Sequence, residues 1–293
     1  METADNLTEP VATPLSRLLS EAAGSLGETH ALARLDAEVL LAHLLQVPRS
    51  ALLTQAERPV AAATVLRYRT LLGRRAQGEP VAYLVGEREF WSLPLAVTPA
   101  VLIPRPETEL VVERVLALLP ETRGAAPQLH VLDLGTGSGA IALALARERS
   151  SWQLTATDRC AAALQVAREN ARRLRLAQIE FIEGDWFAPL AARRFHAILS
   201  NPPYVAAGDP ALRALRYEPA SALSPGPSGL EALRHLIAMA PQHLVSGAWL
   251  VLEHGADQAG AVAAALVAAG YARVRCHRDL AGRDRVTEAQ WLQ

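Results

Sequence analysis

The sequence predicts an α/β protein whose mainly parallel sheet is covered by helices on both faces. Three observations predict this fold class. First, 51% of the residues are hydrophobic and 20% are charged, which is typical of a chain with a buried core. Second, strand-like and helix-like segments alternate from His130 onward, which favours parallel strands joined by helices. Third, a glycine-rich turn follows the first of these strands, where a parallel sheet binds its ligands.

Length, charge and cysteine content bound the possible functions. A chain of 293 residues is long enough to form two domains. Its 29 basic and 30 acidic residues give a net charge of −1, without the electrostatic footprint of a nucleic-acid-binding surface. Cys160 and Cys276 are too few for a disulfide framework or a zinc site, and we expect no metal. With no apolar signal core and no run long enough to span a bilayer, we expect a cytoplasmic protein without a membrane partner.

Residues 1–80 are predicted to form a small helical domain. Apolar residues recur in it at the spacing of one helix face, at Leu15, Leu18, Leu19 and Ala22. No titratable cluster stands out there, which favours a docking or packing role over catalysis. Residues 81–105 are predicted to be a β-hairpin linker, because Phe90–Val97 is short, apolar and partly alternating.

The domain after this linker, residues 106–293, is predicted to alternate strands with helices. Pro106 suits the first position of a helix that continues to Leu119. Strands are predicted at His130–Leu134, Trp152–Thr157, Ile179–Ile182, His196–Leu199 and Ala248–Leu252, then as a pair at Tyr271–Cys276 and Arg285–Trp291. Helices are predicted at Ala140–Arg147, Ala161–Leu174, Leu230–Ala240 and Gln258–Ala269. This alternation implies a mainly parallel sheet.

A glycine-rich segment follows the first strand of this domain. It begins at Asp133, and its candidate cofactor-binding residues are Gly135, Thr136, Gly137, Ser138 and Gly139. Glycines at a strand-to-helix junction let the backbone approach a ligand closely. This spacing favours a cofactor loop over a plain tight turn. The glycines do not name the cofactor, because a dinucleotide fingerprint would also fit them.

Asp158 ends the second predicted strand. A carboxylate at this position can accept hydrogen bonds from both hydroxyls of a ribose, whether the ligand is NAD or S-adenosyl-L-methionine. The alternative is a cap for the helix that follows, and an aspartate can serve both purposes. Asp158 therefore supports nucleotide binding without deciding which nucleotide is bound.

The segment Asn201-Pro202-Pro203-Tyr204, which follows the fourth strand, is the most discriminating motif. Its two prolines make the backbone rigid and remove two N–H donors. The Asn201 side-chain oxygen and a backbone carbonyl can then accept both hydrogens of a planar –NH₂ group, and Tyr204 offers a face for stacking. These acceptors stabilise the positive charge that develops on nitrogen as a methyl sulfonium approaches. A dehydrogenase has no use for this arrangement.

With these motifs the chain resembles the protein-(glutamine-N5) methyltransferases that modify peptide-chain release factors. The resemblance covers most of the chain, including Asp185-Trp186-Phe187 and Asp279–Arg285. Asn-Pro-Pro-Tyr alone is shared with methyltransferases of nucleic-acid bases, whereas the run Ile103–Glu109 is far more specific to this family. Ser228 departs from the family pattern, because relatives often carry aspartate there, and it leaves the role of that loop open.

The resemblance implies a seven-stranded, Rossmann-like methyltransferase sheet with a substrate-recognising helical domain in front and S-adenosyl-L-methionine as cofactor. Gly135–Gly139 would hold the methionine part of the cofactor, Asp158 its ribose, and Trp186 would lie near the adenine. The target glutamine, in the Gly-Gly-Gln motif of class-one release factors, would be bound by Asn201, Pro202, Pro203 and Tyr204. The catalytic residues among these would be Asn201, Pro202 and Tyr204, with Asn201 also beside the cofactor.

Two other functions stay open at this point. An amino-methyltransferase acting on adenine or cytosine of DNA or RNA fits Asn201–Tyr204, but it calls for a basic surface or a recognition domain. A nicotinamide-dependent oxidoreductase, or a noncatalytic nucleotide-binding module, explains the glycines and Asp158 but gives Asn201–Tyr204 no purpose. Trp186 fits a core position as well as an adenine contact. We expect a structural, not catalytic, ion-pair cluster of Arg105, Glu107 and Glu109.

Overall fold

The computed structural model describes residues 13–26, 32–121 and 128–293. The chain divides into two compact units, Met1–Gly86 and Glu87–Gln293. Helices dominate the described part of the first unit, and the second unit contains the large sheet. The finer division predicted from the sequence, with boundaries at residues 80 and 105, stays a prediction.

Helices with one apolar face build the core of the first unit. They are α1 (Leu15–Leu26), α2 (Ala33–Leu45), α3 (Arg49–Thr54), α4 (Ala62–Ala76) and α5 (Val81–Val85), accompanied by the antiparallel pair β1 (Thr13–Pro14) and β2 (Pro59–Val60). The predicted face of α1 is confirmed, since at most 2% of the surface is exposed at Leu15, Leu18, Leu19 and Ala22. The buried Tyr68 hydroxyl donates to the carbonyl of Ala37 at 3.0 Å, so this polar group is satisfied.

A hairpin and a seven-stranded sheet form the strands of the second unit. They are β3 (Glu87–Phe90), β4 (Leu93–Ala96), β5 (His130–Leu134), β6 (Gln153–Asp158), β7 (Ile179–Glu183), β8 (Phe195–Ser200), β9 (Leu244–Glu253), β10 (Ala272–Arg278) and β11 (Asp284–Gln290). The sheet order is β10-β11-β9-β8-β5-β6-β7, and β5 to β9 pair in parallel. The strand β11 runs antiparallel to both of its neighbours, whereas the other strand pairs of the sheet are parallel. The expected mainly parallel, seven-stranded sheet is therefore confirmed.

Helices cover both faces of this sheet. They are α6 (Glu109–Leu118), α7 (Ala140–Glu148), α8 (Ala161–Leu174), α9 (Ala211–Ala214), α10 (Ala220–Leu223), α11 (Glu231–Met239) and α12 (Ala259–Ala268), with 3-10 turns at Pro106–Thr108, Ala188–Leu190 and Ala240–His243. Side chains alternate between the faces of a strand. Val131 of β5 therefore packs with α6 and α7, and Leu132 packs with α11 and α12. Burial of Ala140–Ala146 fixes the start of α7 against the sheet.

The predicted strands and helices of this unit are all observed, and they differ from the prediction mainly at their ends. The short helices α9 and α10 were missed, because a four-residue helix shows no apolar period in the sequence. In the part of the chain that the structure describes, no helix is both long and apolar enough to cross a membrane.

Candidate active site

A cleft of about 370 Å³ lies at the carboxyl ends of β5, β6 and β8. The strand order reverses on either side of β5, which is where open parallel sheets bind ligands. The volume lies in the range of small-molecule sites. The predicted site residues that line the cleft are Gly135, Thr136, Gly137, Ser138, Asp158, Trp186, Asn201 and Pro203. Gly139, Pro202 and Tyr204, which were also predicted, lie beside the cleft in sequence but do not line it.

The backbone of the glycine loop is fixed by β6. The N–H groups of Gly135 and Thr136 both donate to the carbonyl of Thr157, each at 2.9 Å. Gly135 has a φ of +71°, and a Cβ added there would lie 3.3 Å from the ring of Trp186. Only a glycine combines this left-handed conformation with so close an approach of the ring. Gly137, with a φ of +56°, has open space where a Cβ would lie, so the loop exposes its backbone to the cleft there.

Asp133, near the end of β5, is hydrogen-bonded to the glycine loop through Thr136. It is 1% exposed, and its Oδ2 accepts a hydrogen bond from the hydroxyl of Thr136 at 2.6 Å. Burial raises the pKa of Asp133 to about 7, against the opposing effect of the Thr136 hydrogen bond. The cause is that burial disfavours the charged form of a carboxyl.

Asp158 connects the glycine loop to the start of α8. Its Oδ2 accepts the N–H of Gly137 at 2.9 Å, and its Oδ1 accepts the N–H of Cys160 at 2.8 Å. The N-cap of α8 is Cys160 and has no side-chain cap hydrogen bond, so the capping alternative is wrong and Asp158 instead holds the turn before the helix. Each carboxylate oxygen retains a lone pair, because a carboxylate offers about four acceptor positions. Asp158 can thus bind a ligand in the cleft while it holds the loop.

Trp186 lies between β7 and the turn at Ala188–Leu190, with a φ of +47°. A left-handed conformation is unfavourable for a bulky side chain and is kept only where surrounding contacts enforce it. Its ring packs against Gly135 and lines the cleft, and the residue is half-buried. The ring contacts the core on one side and the cleft on the other, and the predicted contact with an adenine stays a prediction.

The segment Asn201–Tyr204 is held by hydrogen bonds at both ends. Nδ2 of Asn201 donates to Oγ1 of Thr108 at 3.0 Å, so the amide oxygen is the group left for a ligand. The hydroxyl of Tyr204 donates to Oε1 of Glu253 at 3.1 Å. Burial raises the pKa of Tyr204 well above its ordinary value, and the nearby Glu253 adds to the rise. Tyr204 is therefore a neutral hydrogen-bond donor at physiological pH.

Gln258 holds the backbone of this segment and was missed by the sequence analysis. Its Nε2 donates to the carbonyl of Tyr204 at 3.0 Å and to that of Gly229 at 3.3 Å. Its Oε1 accepts the N–H of Gly255 at 2.9 Å. Gly229 has a φ of +74°, and a Cβ there would collide with the carbonyl oxygen of Tyr204. The loop that carries Ser228 therefore packs directly on the segment.

The expected ion-pair cluster of Arg105, Glu107 and Glu109 is wrong. Arg105 pairs with Glu218, which also accepts the N–H of Ile103 at 3.0 Å. Glu218 is 7% exposed, and a buried carboxylate needs a cation and hydrogen-bond donors. Glu107 is exposed, and Oε1 of Glu109 accepts the N–H of Trp91 at 2.8 Å. The glutamate that Arg105 needs therefore comes from a remote loop.

Comparisons with known proteins find relatives along most of the chain. Residues 17–86 match the PrmC N-terminal domain family, and residues 112–226 match the methyltransferase small domain family. The chain is 50% identical over 261 residues to the release factor glutamine methyltransferase of Xylella fastidiosa (strain Temecula1 / ATCC 700964), which covers 88% of this chain and 94% of that relative. The Escherichia coli (strain K12) protein of the same name is 45% identical over 262 residues, covering 89% of this chain and 93% of the relative.

A solved structure shares the fold over 70% of this chain at low sequence identity. It is the T. thermophilus 16S rRNA N2 G1207 methyltransferase in complex with AdoMet and guanosine. Its TM-score is 0.52 at 19% identity, covering 70% of this chain and 49% of that chain. Within the described ranges of this chain, no group of three or more His, Cys, Asp or Glu side chains is arranged to hold a metal ion.

Proposed function

Because the chain belongs to the release factor glutamine methyltransferase family, we propose that it methylates the side-chain amide nitrogen, N5, of the glutamine in the Gly-Gly-Gln motif of class-one release factors. S-adenosyl-L-methionine is the methyl donor. The observation that carries the proposal is the orientation of Asn201. Its nitrogen donates to Thr108, which leaves its oxygen as an acceptor for a ligand –NH₂ in the same cleft as the glycine loop.

The glycine loop, Asp158 and Trp186 are the proposed cofactor site. Their fit to the cofactor rests on the open backbone at Gly137, on the spare lone pairs of Asp158, and on a ring that lines the cleft. Asp158 would receive the ribose hydroxyls, and Trp186 would contact the adenine. When bound, S-adenosyl-L-methionine supplies an electrophilic methyl group on a positively charged sulfur.

Asn201 and the adjoining backbone are the proposed acceptor site. An amide nitrogen is a weak nucleophile, because its lone pair is delocalised into the carbonyl group. The oxygen of Asn201 and the backbone carbonyl of Pro202 each accept one hydrogen of this –NH₂ group. They orient the nitrogen and place negative partial charge where positive charge develops. After gaining the methyl group, the nitrogen loses one proton to water, so no general base is required of the chain.

Pro203 and Tyr204 keep this acceptor site rigid. Pro203 lines the cleft, and Pro202 is buried behind it. The ring closures fix φ at both prolines and remove two N–H donors that would compete for the Asn201 oxygen. Tyr204 lies beside the cleft without lining it, so its proposed role is to hold the segment through Glu253, and stacking of its ring on the substrate amide stays a prediction.

The first unit is the proposed docking site for the release factor. Its described residues hold a packed helical core, and residues 17–86 match a family domain of their own. We assign substrate recognition to residues 1–80, the link to residues 81–105 and methyl transfer to residues 106–293. The net charge of −1 gives no support to a direct nucleic-acid partner. Because its proposed substrate is a translation factor, which acts in the cytoplasm, we propose that this protein is cytoplasmic as well.

Label transfer from S-adenosyl-L-methionine tests the proposal. The protein is incubated with labelled cofactor and with separate pools of release factor, tRNA and DNA. We expect label in the release factor, and none in a matched release factor whose motif glutamine is replaced by alanine. Label that appears only in adenine or cytosine would assign the chain to the nucleic-acid amino-methyltransferases instead.

A further inference from the structure

Asn201–Tyr204 is held at its two ends by side chains from distant parts of the second unit. Thr108 precedes α6 and accepts the hydrogen bond from Nδ2 of Asn201 at 3.0 Å. Glu253 ends β9 and accepts the hydrogen bond from the Tyr204 hydroxyl at 3.1 Å. Neither Thr108 nor Glu253 was singled out as a functional residue by its sequence context.

Both of these side chains are buried, Thr108 at 4% and Glu253 at 1% exposure. Burial raises the pKa of Glu253 to about 7, and the hydroxyls of Thr108 and Tyr204 oppose the rise. The Tyr204 hydroxyl donates to Oε1 of Glu253, whereas Oε2 is buried and has no hydrogen-bond partner among the described residues. Since a buried carboxylate oxygen without a donor is costly, Oε2 is the acceptor that the hydrogen of Thr108 can satisfy.

The number of hydrogens then decides which way the Asn201 amide points. A threonine hydroxyl has a single hydrogen to donate, and its oxygen can accept from other groups. When that hydrogen is directed at Glu253, only an acceptor faces Asn201. An acceptor binds the –NH₂ group of Asn201 and repels its carbonyl oxygen, so the flipped amide is disfavoured. The oxygen of Asn201 is consequently turned toward the cleft.

We propose that Thr108, anchored by Glu253, is a positioning residue that fixes the Asn201 amide with its oxygen toward the acceptor –NH₂. The inference rests on the proposed function for what that oxygen binds. Thr108 acts on the reaction through Asn201 and takes no part in bond making. It also gives a function to the run Ile103–Glu109, whose glutamates and arginine do not form the expected cluster.

Four variants at two positions test this inference in the full chain. Thr108→Val keeps the shape of the side chain and removes the hydroxyl, and Thr108→Ala removes it with less risk of overpacking. Thr108→Ser keeps the hydroxyl. Thr155→Val is the matched control, since Thr155 is also buried and lies on β6, which β5 separates from β8. Turnover with saturating release factor, cofactor affinity and unfolding temperature are measured for each.

We expect Thr108→Val and Thr108→Ala to lower turnover about 10- to 100-fold, as loss of one buried hydrogen bond in the site implies. Their cofactor affinity stays within about twofold of the wild type, because the glycine loop, Asp158 and Trp186, which form the proposed cofactor site, are unchanged. Thr108→Ser and Thr155→Val keep turnover within about threefold. A turnover in both hydroxyl-free variants that equals that of Thr155→Val overturns the inference.

A double-mutant cycle separates positioning from a purely structural effect. If Thr108 acts through Asn201, the variant Thr108→Val/Asn201→Ala is no slower than Asn201→Ala alone. Independent structural roles would multiply the two losses, and that result contradicts the inference.

The side-chain amide signal of Asn201 in a nitrogen–proton NMR spectrum provides a readout without any substrate. It is assigned by its disappearance in Asn201→Ala. We expect the signal to move in Thr108→Val and to return in Thr108→Ser, and an unchanged signal in Thr108→Val contradicts the inference. A wild type that is inactive on release factors would overturn the proposed function, while this signal would still decide whether Thr108 holds the amide.

Discussion

The two halves of the cleft are built in different ways. The glycine loop after β5 is fixed by backbone contacts with the next strand along the chain, with Gly135 and Thr136 bonded to Thr157 of β6. The segment Asn201–Tyr204 after β8 is fixed by side chains from several separate elements, namely Thr108, Glu253 and Gln258. The proposed cofactor site therefore depends on one adjacent strand, and the proposed acceptor site depends on elements from across the sheet domain.

This difference has a consequence for substitutions. We call the glycine loop with Asp158 the donor half, because it is the proposed site of the methyl donor, and Asn201–Tyr204 the acceptor half. A change in the donor half is expected to alter cofactor binding and little else. A change in the acceptor half, or in the remote residues behind it, is expected to alter turnover while the cofactor still binds. Substitutions in each half test whether cofactor binding and turnover separate in this way.

Asn201→Ala is expected to have the largest effect. Removing one preorganised acceptor of this kind lowers turnover about 10²- to 10³-fold. Cofactor affinity is expected to stay near that of the wild type, because the contacts of Asp158 and the glycine loop are unchanged. Steady-state kinetics and calorimetry on the same preparation measure both quantities. Near-normal turnover would remove Asn201 from the mechanism, and a lost cofactor affinity would erase the separation of the two halves.

Glu253→Gln is expected to change how stability depends on pH. Because burial raises the folded-state pKa of Glu253 to about 7, its stabilising contribution is complete at low pH and is lost as the pH rises toward and past 7. The loss in the wild type amounts to about 3 kcal/mol at most, by the cost of one pKa unit. A glutamine does not titrate, so the variant lacks this loss.

Chemical denaturation at pH 5 and at pH 8 measures the effect as a difference between the two proteins. Glu253→Gln should gain stability relative to the wild type between these pH values. Asp133 titrates in the same range, but it is present in both proteins and cancels in the comparison. An identical pH dependence for both proteins would show that Glu253 does not titrate as its burial implies.

Asp158→Ala is expected to act on the donor half. The variant loses charge-assisted hydrogen bonds to the cofactor, which weakens S-adenosyl-L-methionine binding by about 1.5–3 kcal/mol. Asp158→Asn keeps one acceptor oxygen, so its affinity for S-adenosyl-L-methionine should lie between that of Asp158→Ala and that of the wild type. Calorimetry measures these affinities, with NAD as a ligand expected to give no heat. An undiminished affinity in Asp158→Ala, or binding of NAD alone, would refute the assignment of this half.

Gln258→Glu is expected to have the smallest effect. It removes the donor to the carbonyls of Tyr204 and Gly229 and keeps the oxygen that accepts from Gly255. Of the two lost hydrogen bonds only that to Tyr204 lies on the acceptor segment, and its loss of about 1 kcal/mol corresponds to roughly a fivefold fall in turnover, with cofactor affinity retained. Gln242→Glu makes the same chemical change at an exposed position and serves as the control. Equal turnover in the two variants would show that Gln258 does not support the acceptor half.

The contrast between the halves also explains what the sequence could predict. The sheet and the glycine loop follow from local patterns, because alternating apolar segments and glycines after a strand determine structure over a few residues. Asp158 is found in the same way, since it directly follows a strand. The orientation of Asn201 could not be predicted, because it depends on Thr108, which lies 93 positions away in the chain.

The remaining failures have the same origin. Arg105 was assigned to neighbours in the sequence, yet its partner Glu218 lies on a loop that only the folded sheet brings near. Glu253 could have been noticed, since it ends a strand at the same edge of the sheet as Asp158 and Asn201. That signal places a residue at the edge of the sheet but does not identify the side chain it contacts.

Peptide mapping of the methylated release factor tests the central claim most directly. The intact factor is incubated with the wild type or with Asn201→Ala, digested, and analysed by mass spectrometry. We predict one added methyl group on the side chain of the glutamine in Gly-Gly-Gln with the wild type, and a strongly reduced amount with the variant. A methyl group on any other residue, or none on the factor together with methylated adenine or cytosine in a nucleic-acid pool, would contradict the account.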